Sequence, residues 1–489
     1  MTLRSCREKQ TKQGHYSGTD NRGRHEPHNK TSNEAVELVR KHIRSFAVME
    51  PHYVRRDSNK KYLASGLNKS KMFRMYETYC TNPATFVPEQ LRVKQPVYSL
   101  IFDRDFNYSF FVPKKDRCPT CIRMEMLTGE QKATFVTDVY NPHKQRELDS
   151  MQAKRECKER AVREPGTYRC ITCDLQRVLS APSGAASIFY YRRKLHVFNF
   201  TIYEAGSKQG LCYLWNESIG MRGANEIGSC LLMYLKSLPD SVREVTIFAD
   251  TCGGQNRNIY IAAALLHCVA NSNIQIIEQK FLESGHTYME ADSIHSAIEK
   301  SYKSSVVSSE NSGHTIIRIP CDWETVITTA RTKKGTNPYV VTAVKQSDIM
   351  DLKALTCETL LISRKNRTID HQPVNWVQTK QFRYSCDKPT SIFVKKDYSS
   401  DLEFREVELS PAKTRRSLTS IVKYQLRRAY NSLLPISEEK CRDLLYYCEP
   451  PNNIIDYFYS HYYRNVSYTA NIRNSLPEPD VSEDEEGDD

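Results

Sequence analysis

Three aspartates stand where a sheet could gather their carboxylates. Asp174 ends the β-branched run of TYRCITCDLQ, Asp250 ends REVTIFAD, and Asp292 lies in MEADSIHSAIEK, whose apolar residues recur at helical spacing. An acid at the end of a strand sits at the carboxyl edge of a sheet, where α/β proteins usually build their sites. Hard ions such as Mg2+ or Mn2+ take carboxylates rather than thiolates. Two of them ~3.5–4 Å apart can clamp the attacking and leaving oxygens of a phosphodiester, so the chemistry expected is metal-dependent cutting or joining of nucleic acid.

A second set of residues is built on thiols. Cys118-Pro-Thr-Cys121, preceded by Lys114, Lys115 and Arg117, has knuckle spacing and predicts half of a structural Zn2+ site. His143 and Cys157, in the charged helical stretch that follows, are the expected remaining ligands, with Cys80 as the alternative. Cys170-Ile-Thr-Cys173 repeats the spacing inside the strand that carries Asp174. Residues three apart on a strand point to opposite faces, so that pair is not expected to share an ion.

The elements that must position these groups read in the order β-β-β-α-β-α-β-α. TYRCITCDLQ, KLHVFNFTIY and GLCYLWNES are three strands, the last two joined by a hairpin loop at AGSKQ. ANEIGSCLLMYLKSL is a helix, REVTIFAD a fourth strand, GGQNRNIYIAAALLHCVA leads into a helix, IQIIEQKFLE is a fifth strand, and MEADSIHSAIEK begins a third helix. Gln255, Asn256, Arg257 and Asn258, beside Asp250, are candidates to hydrogen-bond phosphates or bases.

That order, with acids ending the first and fourth strands and an acid in the last helix, resembles the RNase H-like fold of DDE transposases, retroviral integrases and RNase H. The resemblance implies an α/β core with a mixed five-stranded sheet and flanking helices, in which the first and fourth strands lie side by side and bring Asp174 to Asp250. Glu226, in GANEIGSCL, stands where RNase H carries its helical Glu, and SGHTYMEADSIHSAIE resembles its Gly-His loop and helical Asp, which points to His286 and Asp292. Transposases usually end on Glu, leaving Glu290 and Glu299 as rivals; Asp292 and Glu299 share a helix face with His295, whereas Glu290 points elsewhere. More closely, DLQRVL, FYYRRKLHVFNFTIY, EIGSCLLMYL, FADTCGGQNRN and SGHTYMEADSIHSAIE resemble a group of transposon-derived animal proteins, from about His25 to about Tyr462. This implies a DDE-type transposase or a domesticated derivative, with transposon ends or genomic DNA as partner; the nucleus is the expected location, and a homo-oligomer is a candidate assembly. The alternatives are a DNA-binding or chromatin protein that keeps the fold without catalysis, and an RNase H-like nuclease with another substrate.

The flanks fit such a reading. Residues 1–30 are polar and basic and are expected to form a flexible arm; 31–97 should be a helical, DNA-binding domain, with a capping box at Thr31 and a cation-rich helix-turn-helix over Lys60–Tyr79. Residues 98–166 should comprise a strand pair, the knuckle and a helical stretch, 167–310 the catalytic core, 311–474 a C-terminal α+β region, and 475–489 a disordered acidic tail. In that C-terminal region HTIIRIPCDWETVITTAR and VNWVQTKQFRYSCDKPTSIFVKKDY alternate like strands, SLTSIVKYQLRRAYNSLL reads as a helix, and Ser437 caps another. The tail from Leu476 carries eight acidic residues and no basic one, so a net charge of +12 becomes +20 without it, a balance that attracts polyanions. No apolar run approaches the ~20 residues of a membrane helix, and the N-terminus does not read as a secretory signal. The 16 cysteines are expected as thiols or metal ligands.

Overall fold

The computed structural model describes residues 31–46, 48–49, 61–63, 67–83, 85–110, 118–184, 189, 191–251, 256–310, 317–331, 337–359, 367–399, 402–409, 420–450, 455 and 457–470. The expected basic arm and acidic tail lie outside the described residues. The chain divides into two compact units, Met1–Lys115 and Asp116–Asp489.

In the first unit, α1 (Asn33–Arg44) begins beyond the predicted Thr31 cap, because the Ser32 side chain accepts from the Ala35 amide. There follow β1 (Val48–Met49), β2 (Lys61–Leu63), α2 (Lys69–Thr81), α3 (Gln95–Asp105) and β3 (Tyr108–Phe110), with the strands paired in the order β1-β2-β3. A strand therefore replaces the first helix of the expected helix-turn-helix. Most of YSLIFDRDFNYSFFV is likewise helix α3 rather than strands around a turn. Pro96 sits in its first turn, and Tyr98, Ile101 and Phe102, at helical spacing, bury with Val39, Ile43, Met72 and Tyr76.

The second unit opens with α4 (Pro119–Met126), α5 (Gly129–Phe135), a π-helical turn and the long α6 (Asn141–Arg163). Then come β4 (Tyr168–Leu175), β5 (Leu179–Ala181), β6 (Leu195–Glu204), β7 (Gln209–Asn216), α7 (Ala224–Ser237), β8 (Glu244–Ala249), α8 (Ile259–Ala270), β9 (Ile276–Phe281) and α9 (Glu290–Glu310). This is the expected order with one added short strand, β5, paired on β6.

The C-terminal stretch supplies α10 (Asp322–Thr329), β10 (Val340–Ala343), α11 (Leu352–Thr359), β11 (Gln381–Ser385), β12 (Ser391–Lys395), β13 (Arg405–Glu408), β14 (Ile436–Ser437), α12 (Glu438–Tyr446), α13 (Tyr457–Arg464) and β15 (Tyr468–Thr469). Two expectations fail here. DWETVITT is helical because Trp323, Val326 and Ile327 bury one helix face. The described part of SLTSIVKYQLRRAYNSLL contains no helix; Ile421 and Tyr424 are drawn into the main core, and the backbone bonds across to Ile349 and Asp351. Tertiary contact overrides helical propensity there. The Ser437 cap holds, its side chain accepting from the Lys440 amide.

The unit is mixed α/β. Its large sheet runs β10-β7-β6-β4-β8-β9-β11-β12-β13. β4, β8 and β9 are parallel, β6 is antiparallel to β4 and β7, β10 joins β7 in parallel, and β11 joins β9 antiparallel. The five expected strands are thus the middle of a wider sheet that the C-terminal stretch extends at both edges. Ile227, Leu231, Ile261, Leu265, Leu352 and Leu355 cover one face, together with Ile171, Cys173 and Ile247. On the other face α9 and α10 place Ile294, Ile298 and Trp323 against Val197, Cys212 and Leu214, and α6 places Ala161 beside Cys170 and Phe248. Cys170 and Cys173 point to opposite faces, as strand alternation requires. Among the described residues no helix is long and apolar enough to cross a membrane.

Because Ile171 is fully buried and Val340 is 47% exposed on an edge-ward strand, Ile171→Ala should destabilise the second unit by about 2–5 kcal/mol and Val340→Ala by well under 1 kcal/mol. Denaturant unfolding followed by circular dichroism measures both.

Candidate functional site

The carboxylates are brought together by register. β4 and β8 pair with Thr172 opposite Phe248, so two residues further along both chains Asp174 comes level with Asp250. Alternation then turns both acids to the face that carries α9, since Cys170 and Phe248, at even spacing from them, point that way. From the first two turns of α9, Asp292 and His295 reach the same place: one ligand atom each of Asp174, Asp292 and His295 lie within 4.8 Å of one another. His295 Nδ1 is 3.8 Å from Asp174 Oδ2, and its Nε2 is 3.0 Å from Thr201 Oγ1, the residue paired with Asp174 across β4 and β6.

Asp250 lies outside that 4.8 Å grouping but bears on it electrostatically. Burial pushes the Asp174 carboxyl well above its ordinary 3.8, and the charges of Asp250 and then Asp292 push it further. Among the described residues no Lys or Arg pairs with Asp174. Asp250 is held by the Asn256 side chain at 2.5 Å; the Asn256 carbonyl accepts from Gln279, whose side-chain oxygen accepts from the buried Tyr384 hydroxyl. Burial pushes the His295 ring down to about 4, leaving it neutral at pH 7 and able to act as a ligand or acceptor. His295 is the member of this group not assigned a role from sequence; its i, i+3 spacing from Asp292 was the available signal.

Other expected residues are engaged elsewhere. Glu226 sits at the start of α7 with Oε1 accepting from the Met221 amide and the Tyr430 hydroxyl, and Oε2 from the Gly223 amide, so it closes a helix N-terminus. Glu290 pairs with Lys154 at 2.9 Å and Lys158 at 2.5 Å on α6, turned away from Asp292 as the helical period demands. Of the polar run after Asp250, Asn258 caps α8 and Arg257 lies over the Phe281 ring; Gln255 is outside the described residues.

A second cluster gathers Cys118, Cys121, His143 and His286, all buried, with one ligand atom of each within 4.8 Å of the others. Cys118 stands at the head of α4, Cys121 in its first turn, His143 in the first turn of α6, and His286 in the loop between β9 and α9. His286, expected beside the carboxylates, therefore belongs with the thiols. Cys157, expected as a zinc ligand, does not: its Sγ is 3.7 Å from Lys280 Nζ, and it packs with Tyr168 and Cys170. Cys80 is buried in the core of the first unit. Burial pushes the Cys118 thiol up, but hydrogen bonds from His143 and His286 outweigh it and bring it to about 5; the same Cys118 contact, followed by Glu283, raises His143 to about 9. Burial and then the neighbouring Cys118 charge push Cys121 up to about 12.

A family described as a domain of unknown function, DUF7869, matches residues 192–350. That span runs from β6 to beyond β10; it includes Asp250, His286, Asp292 and His295 but not Asp174 or the Cys118–His143 part of the second cluster. No curated protein matches the chain.

A carboxyl raised above its unfolded value stabilises the fold most below that value, and this contribution is lost as pH rises through the raised one. At pH 7 Asp174 is therefore a cost, and a divalent cation should relieve it. Mn2+ should raise the melting temperature of the wild type, by about 2.7 kcal/mol in stability at a hundredfold excess over Kd, while Asp174→Asn should match or exceed the metal-free wild type and respond weakly. Differential scanning calorimetry with and without Mn2+ tests this.

Proposed function

We propose that the chain is a metal-dependent enzyme acting on phosphodiesters, with an RNase H-like core of the DDE-transposase kind and Asp174, Asp250 and Asp292 as its metal-facing acids. The observation that carries this reading is the gathering of like charges around Asp174: a carboxylate at the end of β4, another just past the adjacent parallel strand β8, and a third from α9, beside a neutral histidine. The charges of Asp250 and Asp292 add to the cost of burying an ionised Asp174, a cost that a cation bound there would relieve. Divalent ions bound there would supply a nucleophile at neutral pH and stabilise the charge that develops on the leaving oxygen.

The chain's own residues have separable parts in this scheme. Asp174 and Asp292 offer oxygens from opposite sides, one from the sheet and one from the helix. Asn256 and Gln279 orient Asp250. Thr201 fixes one nitrogen of His295, leaving the other toward Asp174. Glu226 and Glu290 contribute to folding, not to chemistry, and His286 has no part in the acid site. The excess of positive charge outside the acidic tail favours a nucleic acid as the polyanion, and the resemblance of the core segments to transposon-derived proteins favours transposon ends or genomic DNA.

With Mg2+ or Mn2+ the purified chain should nick or join DNA, and Asp250→Ala should abolish this while leaving DNA affinity within about threefold, since it removes a metal ligand and no phosphate contact. Gel assays of cleavage and binding on one labelled duplex separate the two. Binding with no metal-dependent cleavage would instead support a protein that keeps the core for DNA binding alone, and cleavage of RNA but not DNA a ribonuclease.

A further inference from the structure

The cluster of Cys118, Cys121, His143 and His286 has the dimensions of a particular ion's coordination shell. A tetrahedral zinc ion, with Zn–S near ~2.3 Å and Zn–N near ~2.0–2.1 Å, holds sulfur and nitrogen about 3.6 Å apart and two nitrogens about 3.3 Å apart. Here Nε2 of His143 is 3.3 Å from Cys118 Sγ and 3.7 Å from Cys121 Sγ, Nε2 of His286 is 3.4 Å from Cys121 Sγ, and the two Nε2 atoms are 3.2 Å apart. Both rings turn Nε2 inward because Nδ1 is taken from behind. His143 Nδ1 is 3.2 Å from Glu283 Oε1, and His286 Nδ1 is 3.3 Å from Glu147 Oε1. A carboxylate behind each imidazole is the arrangement that fixes the tautomer and orientation of metal-binding histidines. Two sulfurs and two imidazoles suit a soft or borderline ion, not Mg2+.

We propose that these four side chains bind one zinc ion in a closed structural site, and that the ion fastens the loop ahead of α9 to helices α4 and α6. The loop is shaped for this contact. Gly285 has φ +76°, and a Cβ there would come within 2.8 Å of Cys118 Cα and Cβ, so only glycine lets the loop lie against the knuckle. Further ties run along it: Glu283 to Lys380 at 2.9 Å, the Tyr288 carbonyl to Lys154 Nζ at 2.7 Å, and Glu290 to the same lysine. With the loop held at His286, the first turn of α9 is fixed in place, and with it Asp292 and His295. Their use for chemistry rests on the carboxylate reading above; the zinc site does not.

The full chain, purified from zinc-supplemented culture without chelator, should retain one zinc per chain through dialysis by elemental mass spectrometry. After exchange for Co2+ it should show the visible bands of a tetrahedral ion and a sulfur-to-metal charge-transfer band. Cys121→Ser should lower metal content at least about tenfold and remove both features. His286→Cys should keep the ion and intensify the charge-transfer band through a third thiolate, an outcome that mere packing would not give. Cys157→Ser should change nothing. Hydrogen exchange at residues 283–289 should accelerate on chelation. The proposal fails if the chain purifies without zinc and Co2+ gives no tetrahedral spectrum, if the spectrum survives Cys121→Ser, or if exchange in the loop ignores chelation. Asp174→Asn should leave zinc content untouched, so loss of the Mn2+ response without loss of zinc separates the two sites.

Discussion

The parallel pairing of β4 with β8 is the contact on which the second unit's acid site depends. Opposite faces of a strand alternate with a period of two, so a slip of one residue in this register would turn Asp174 or Asp250 into the α7–α8 layer. The register is fixed by what lies beneath and before it. Ile171 and Ile247 are paired and fully buried under α7 and α8, the Tyr168 hydroxyl donates to Thr246 Oγ1 at 2.8 Å, and the Arg243 amide bonds the Thr167 carbonyl where the strands enter the sheet. Apolar burial on one face thereby dictates polar placement on the other.

That placement opposes the fold electrostatically. Desolvation and two neighbouring acids raise the Asp174 carboxyl, and no cation among the described residues offsets them. Elsewhere the same unit does pair its buried charges. Burial would raise Glu283, but His143 and then Lys380 bring it to about 2; Glu278 is lowered despite burial by Lys280 and Arg383. Glu283 and Glu278 are thus balanced by neighbouring cations, whereas Asp174 is left with a local imbalance that packing does not explain.

Much of this was legible in the sequence because it is local. Strand and helix periods mark β4 and β6 through α9 in order, with only the three-residue β5 missed, the Asp174 and Asp250 positions follow from strand ends, and the spacing of Cys118 and Cys121 marks a knuckle with His143 close by. What was not legible depends on partners far along the chain. Residues 98–105 alternate enough to read as a strand, and only burial against α1 and α2 makes them helical. The C-terminal stretch reads as a separate region, yet β10 and β11 find their edges on β7 and β9. His286 follows a glycine in a loop that resembles an active-site loop, but that glycine serves close approach to Cys118, 167 positions earlier. Cys157, nearer in sequence, lies on the wrong turn of α6 to join His143.

The segment from Glu283 to His295 carries donors for both clusters and keeps them apart by backbone geometry. In the loop, Glu283 and His286 face the thiols and α6. At Glu290 the helix begins, and the period changes from that of an irregular loop to 3.6 residues. Glu290 then falls on the side of Lys154 and Lys158, while Asp292 and His295, three apart, fall on the side of Asp174. The imidazole that joins the thiols is therefore confined to the loop, and the two side chains that join Asp174 are confined to the helix, within thirteen residues. Sorting side chains between two clusters this close in sequence needs a change of backbone geometry. Here the change from loop to helix does it, and the position of that change is set by the contact of Gly285 with Cys118 and by the ion pairs of Glu290.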